Sequence, residues 1–231
     1  MNTHILKTFS IFDLFLIIGV SATSIGYAVL TKEFDILGTI AAISGLLCVV
    51  LVAKRSIYNY IFGIINVSLY AYISFKSELY GDALLNALYY VPMQGIGLII
   101  WLKKKDAGDS SKVKAKKMST RQRLLWTTIS AVSIIVGGFI LKYIGDPQPF
   151  KDAATTFLSI IAMYLMVRTY MEQWVLWIIV NIISIVIWVI ASINGVGHSG
   201  LMIIMWCFYL ANSINGFYIW NKQSKIIDGN N

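Results

Sequence analysis

Long stretches of this chain carry no charge, and the charged residues crowd into the gaps between them. The apolar runs last roughly 17–22 residues, the length of helix that crosses a hydrocarbon core of about 30 Å. A bilayer interior offers backbone N–H and C=O groups no partner, so such a run must satisfy itself as an α-helix. Eight runs are legible: 11–31, 36–53, 57–75, 83–102, 123–143, 153–169, 174–193 and 199–220. The breaks at Lys54-Arg55 and at 168–173 are short. The first run is too long for a cleavable signal peptide, and no small-residue cleavage site follows it. Composition excludes a water-soluble domain, since 58% of the 231 residues are hydrophobic and only 13% charged, against about 25% charged in soluble domains.

The distribution of Lys and Arg sets an orientation. If the helices alternate direction, one side of the membrane receives Lys7, Lys54, Arg55, Arg168, Lys222, Lys225 and the nine basic residues between Lys103 and Arg123. The other side receives Lys32, Lys76, Lys142 and Lys151. The positive-inside rule then places both termini in the cytoplasm and favours an even number of spans. The net charge of +8 is thereby read as topology and as attraction to anionic inner-leaflet lipid, without nucleic-acid binding. Cys48 and Cys207 both fall inside spans and read as small buried residues; they form no disulfide framework or metal spacing.

The two halves of the chain resemble each other. Tyr90, Gly97, Ile100 and Trp101 match Tyr209, Gly216, Ile219 and Trp220 at an offset of 119. Upstream, Ser44, Val52 and Asn66 match Ser159, Val167 and Asn181 at an offset of 115, which sets Asn59 and Phe62 against Trp174 and Trp177. This divides the chain into an N-terminal extra helix (1–35), a three-helix repeat (36–102), a basic loop with a linker helix (103–152), a second repeat (153–221) and a tail (222–231). The expected fold is an all-α integral membrane protein with about eight transmembrane helices. One peripheral helix precedes a 3+1+3 parallel-repeat bundle of SWEET-like layout. Such repeats place a binding site near the midplane, between the halves.

Asp, Glu, Lys and Arg inside spans mark ion or proton coupling. None lies near the centre of a repeat helix; Asp13, Asp82, Lys142 and Glu172 stand at ends. The interiors instead hold amides and aromatics in stripes. Asn86, Tyr90 and Gln94 recur every four residues, and Tyr209, Asn212 and Asn215 every three. Trp174, Trp177, Asn181, Ser184 and Trp188 form another stripe, with Phe62, Asn66 and Tyr70 as its counterpart. A buried amide without a partner costs a few kcal/mol, so these groups meet each other or a polar ligand. Trp101 and Trp220, near span ends, read as interfacial belt residues, and Trp174 fits belt or ligand equally. Asn66 and Asn181 fit a helix bridge or a ligand contact alike. Gly95, Gly97 and Gly216 read as close-packing positions. Pro92 and its neighbouring glycines are a candidate hinge, although proline is common in such helices. His4 and His198, in a tail and an outer loop, do not read as bases. Aromatic faces with amides suit a small, flat, polar heterocycle, neutral or cationic, the latter gaining about 0.5–2 kcal/mol from cation–π contact. A phosphate would lack a cation to meet it.

The stretch Trp174-Val-Leu-Trp177 followed by Asn181, with the repeat and the last helix's Tyr209, Asn212 and Asn215, resembles the PnuC family of bacterial vitamin transporters. The resemblance covers about 36–221. It implies uptake of nicotinamide riboside across the bacterial inner membrane by facilitated diffusion, with trapping by a cytoplasmic nicotinamide riboside kinase, and a homotrimeric assembly. It carries substrate contact onto Trp174, Trp177 and Asn181, then Gln94, Asn212 and Tyr209. Tyr90, Asn66, Asn215 and Trp188 complete the candidate set from the stripes. Thiamine, another flat cationic vitamin, is the nearest alternative substrate, and a sugar a more distant one. A purely structural subunit would use the deep polar residues only to tie helices. An enzyme would need acids, bases or metal ligands in the spans, and none is seen; no cofactor is called for.

Overall fold

The computed structural model describes residues 9–31, 36–76, 80–195 and 199–228. His4, Lys7, Lys32 and His198 lie outside them. The described chain is helical: α1 (Ile11–Thr31), α2 (Ile36–Ala53), α3 (Asn59–Lys76), α4 (Tyr80–Leu85), a π-helical turn (Asn86–Tyr90), α5 (Val91–Lys103), α6 (Thr120–Tyr143), α7 (Pro149–Val167), α8 (Gln173–Ile193) and α9 (Ser199–Asp228). Because α4, the π turn and α5 run on without a break, the described residues form eight rods, one for each apolar run. Six are long and apolar enough to cross a membrane: Ile36–Ala53, Gly81–Lys103, Thr120–Tyr143, Pro149–Val167, Gln173–Ile193 and Gly200–Ser224. α1 offers the shorter apolar stretch Ile11–Tyr27. α3 carries Asn59, Asn66 and three tyrosines, which lower its hydropathy.

Local chemistry accounts for the ends that differ from the sequence expectation. α6 starts at Thr120 because Ser119 and Gln122 form a reciprocal capping box, each side chain serving the other's backbone N–H. α7 starts at Pro149, whose missing N–H costs nothing in a first turn. The π turn ends where the Val91 N–H bonds to the Asn86 carbonyl, just before Pro92. Proline donates no hydrogen bond and crowds the carbonyl four residues back, and a widened turn accommodates both faults.

Two compact units divide the chain. In the first, residues 1–52 and 58–95, α3 packs on α4 and the π turn. The Asn66 amide donates to the Ala41 carbonyl at 2.8 Å, tying α3 to α2. The Gln94 side chain lies over Gly63, where a Cβ would come within 2.5 Å of Oε1.

In the second unit, residues 53–57 and 96–231, α6 packs on α7, α7 on α8, and α8 on α9. Gly137 and Gly138 of α6 receive the rings of Phe157 and Phe150 from α7, an approach that any Cβ there would block. Met118, Ile161 and Leu165 form a buried core against Trp126, Tyr164, Tyr170 and Leu176. The basic loop 104–119 is strapped down. Val113 N–H bonds to Arg55 O at 3.0 Å and Ile57 N–H to Ser111 O at 2.9 Å. Further along, Lys116 N–H bonds to Thr169 O at 2.8 Å and Met171 N–H to Lys116 O at 2.9 Å. Glu172 Oε1 accepts from Met118 N–H and from Arg123. The loop thus pairs with both short breaks of the sequence. These breaks have one form: each holds a non-glycine residue at positive φ, Arg55 at 60° and Thr169 at 66°. Their offset is 114, one less than the residue matches gave, so here Asn59 corresponds to Gln173 and Tyr60 to Trp174. All four side chains are buried. At this offset each break is followed by a buried amide and then a buried aromatic, Asn59–Tyr60 and Gln173–Trp174.

Candidate functional site

Of the residues singled out by sequence, Trp174, Trp177, Asn181, Trp188, Tyr209, Asn212 and Asn215 belong to the second unit. Trp174, Asn181 and Asn212 are buried, while Trp177, Trp188, Tyr209 and Asn215 are half-buried. α8 brings Trp174, Trp177 and Asn181 onto one side at helical spacing. α9 answers with Trp206, Tyr209, Asn212, Ser213 and Gly216. The two helices meet at defined points. Asn181 Nδ2 donates to Ser213 Oγ at 2.9 Å. The Trp174 indole fills the space over Gly216, and the Trp206 and Tyr209 rings stand edge to face, 5.7 Å apart.

The belt reading of Trp101 and Trp220 is overturned. Both are fully buried. Their rings lie 6.1 Å apart, and Trp220 stands 6.2 Å from Trp174 at a steep angle, the geometry aromatic quadrupoles favour. Trp101 Nε1 donates to Met166 O at 3.2 Å. Three indoles therefore make one internal cluster. Cys207 is also corrected, being exposed where Cys48 is buried. Gly95 has open space where a Cβ would stand, so close packing does not explain it.

In the first unit, Gln94 is buried and its Oε1 has no hydrogen-bond partner. Tyr90 is half-buried and its ring stands 5.3 Å from that of Tyr89. Asn86 spends its amide on Asp82 O. Asn66, as described, bridges α3 to α2.

Sequence reasoning passed over Ser213, Trp206 and Gln173. Ser213 is the hydroxyl that receives Asn181. The Trp206 and Trp174 Nε1 groups are buried without partners, as are both amide atoms of Gln173. Trp206 could have been found by the three-residue step that leads through Tyr209 to Asn212. Gln173 directly precedes the stripe and is hidden by its position at a helix start. Among the described residues, no cluster of His, Cys, Asp or Glu could hold a metal.

At the basic end of the second unit, burial and then the charges of Lys116 and Arg168 hold the Lys104 amine below the usual lysine range. Asp109, hydrogen-bonded by Lys112 and Ser111, has its carboxyl held down at about 2.

Apolar rods with amides and indoles inside, and charges kept to their ends, define a multi-pass membrane protein, and its relatives make it a transporter. The chain belongs to the family described as nicotinamide mononucleotide transporter, whose model it matches over residues 35–222. It is 42% identical over 192 residues to a nicotinamide riboside transporter PnuC of Neisseria mucosa, covering 82% of this chain and 73% of that one. A relative of the same description in Haemophilus influenzae is 34% identical, covering 82% and 80%. The one in Escherichia coli is 30% identical, covering 80% and 85%. A crystal structure of the vitamin B3 transporter PnuC matches with a TM-score of 0.78 at 36% identity, covering 97% of this chain and 99% of that one.

Proposed function

We propose that this transporter carries nicotinamide riboside, and that it does so by facilitated diffusion across the bacterial inner membrane. One observation carries the choice of the riboside over its mononucleotide. The described helices keep Lys and Arg at their ends, so a phosphate entering among them would find no cation to replace its water. A nicotinamide ring is flat and cationic and suits the half-buried face of Trp177, with a cation–π gain of about 0.5–2 kcal/mol. Ribose hydroxyls and the carboxamide need uncharged hydrogen-bonding groups. In this reading Asn181 Oδ1, Asn212 and Tyr209 of the second unit supply them, with Asn215 and Trp188 at the margins; Gln94 and Tyr90, in the first unit, are substrate contacts on the sequence argument alone. Trp174 backs the site through the indole cluster, and Asn66 serves as a helix tie.

The remaining readings rest on the sequence arguments above. Residues 36–102 and 153–221 form parallel repeats, and both termini face the cytoplasm, since fifteen of the nineteen basic residues then lie inside. The assembly is a homotrimer, and a cytoplasmic kinase traps the nucleoside by phosphorylation. The absence of a carboxylate from the middle of the described spans favours a facilitator over a proton-coupled carrier. Uptake into liposomes tests the mechanism. Influx should stop at the outside concentration whether or not a pH or Na⁺ gradient is applied, and accumulation beyond it without a kinase would refute facilitation.

A further inference from the structure

A groove of about 700 Å³ runs along the second unit, walled by α6 on one side and α8 and α9 on the other, with α7 as its floor. Its α6 wall is a single helical face, Arg123, Trp126, Ser130 and Ile134. From Arg123 to Ile134 the helix rises about 16 Å. That is half of a hydrocarbon core of about 30 Å, the depth of one leaflet. The groove therefore begins at the basic end of the unit and stops near the membrane midplane. Its walls make few polar demands, since the Ser130 hydroxyl is turned back on the Trp126 carbonyl at 2.8 Å. Apart from Thr127 and Asn221 the rest of the uncharged lining is apolar, so a polar solute would gain little there and hydrocarbon more.

The rim has a different chemistry. Lys117 and Arg123 stand at the mouth with Glu172. Arg123, half exposed, pairs with Glu172 at 2.9 Å, which leaves Lys117 without an ion pair among the described residues. Lys116, Lys104 and Arg168 lie in the adjoining segments, and after burial, the larger cause, the charges of Lys116 and Arg168 lower the basicity of Lys104. Positive charge thus exceeds negative charge where a leaflet's headgroups lie. An α-helix about 10 Å across and 16 Å long would need about 1,200 Å³, so the space is too small for a helix of a second copy and large enough for an extended hydrocarbon chain.

We propose that this groove binds one anionic phospholipid from the leaflet on the basic side. An acyl chain lies between α6 and α8, and the phosphate rests against Lys117 and Arg123. The inference does not depend on the transported substrate.

The test uses full-length protein, delipidated in detergent and titrated with phosphatidylglycerol brominated on its acyl chains. Tryptophan fluorescence should show a saturable quench that disappears in Trp126→Phe. Lys117→Gln and Arg123→Gln should each weaken it by roughly fivefold, the effect of one basic residue at a membrane surface. Lys117→Gln breaks no ion pair, so it guards against a folding defect in the other variant. Brominated phosphatidylcholine should quench more weakly. Equal quenching by the two lipids, or a quench that survives in Trp126→Phe, would overturn the proposal. Competition by free glycerol phosphate as strong as by the lipid would reduce the groove to a phosphate site and also overturn it. So would cross-linking between protomers through cysteines placed at the groove-lining Thr127 and Ile134 if it excluded the lipid.

Discussion

Gly216 and the indole of Trp174 are in contact so close that a Cβ on residue 216 would fall 2.5 Å from Cζ2 of the ring. The absence of a side chain on α9 is what lets the first tryptophan of α8 come this close and stand 6.2 Å from Trp220. Gly216→Ala should therefore displace Trp174, costing about 1–3 kcal/mol of overpacking. The expected outcome is a lower unfolding temperature together with weakened substrate binding. Gly95→Ala, where there is open space, should change neither. Thermal unfolding in detergent and calorimetric binding on both variants check this.

Trp101 and Trp220 give the second expectation. A lipid-facing belt tryptophan loses little when truncated. A fully buried indole leaves a cavity, and Trp→Ala in a packed core costs about 3–5 kcal/mol. Trp220→Ala and Trp101→Ala should each destabilise by that order, and the double variant should lose less than the two separate costs because the rings touch. Chemical denaturation of the purified variants provides the comparison.

The Asn181–Ser213 hydrogen bond ties α8 to α9. Ser213→Ala leaves the Asn181 amide short of its acceptor, at a cost of about 1–3 kcal/mol. If Asn181 Oδ1 also serves the substrate, Asn181→Ala should lower affinity more than Ser213→Ala does at comparable loss of stability. Equal effects on binding would make Asn181 a helix tie alone.

Lys104 yields a pH prediction. Its basicity is lower in the folded protein than the ordinary value of about 10.4, so the charged form is disfavoured on folding. Stability contributed at this position should rise with pH between the lowered value and the ordinary one, because deprotonation removes the penalty. Lys104→Gln should raise the unfolding temperature at neutral pH and flatten that rise. Thermal scans across alkaline pH measure both.

Thr169 is a β-branched residue in the left-handed region, with φ of 66°, a conformation such residues avoid at a cost of about 1–2 kcal/mol. Thr169→Asn, which tolerates this conformation better, should stabilise the protein slightly while keeping the Lys116–Thr169 backbone bond. A fall in unfolding temperature would mean that the fully buried surroundings of residue 169 have no room for the longer amide.

Much of the fold was legible because the membrane criterion is simple. Length and apolarity of the runs placed all eight rods to within a few residues at most ends. Capping chemistry at Ser119 and Pro149 explains where α6 and α7 begin. Less was legible where the answer depends on a distant partner. Trp101 and Trp220 carry the same signature as belt residues, and only their mutual packing shows that they face inward. The one-residue shift at the matched breaks was invisible because Asn66 and Asn181 align by type, whereas the turns align by backbone form. The strap over 104–119 is made of backbone bonds between remote segments, which residue identity does not announce. In the candidate site, Asn181 and Trp174 stood out as polar or aromatic groups in apolar helices. Ser213, the partner of Asn181, did not, because serine is unremarkable in such a helix.

The most direct test of the account is calorimetric titration of the purified protein with nicotinamide riboside, its mononucleotide, thiamine and glucose. The account predicts saturable binding of the riboside, a much weaker response to the mononucleotide, and loss of riboside binding in Trp177→Ala. Silence toward the riboside with binding of any of the other three would contradict it.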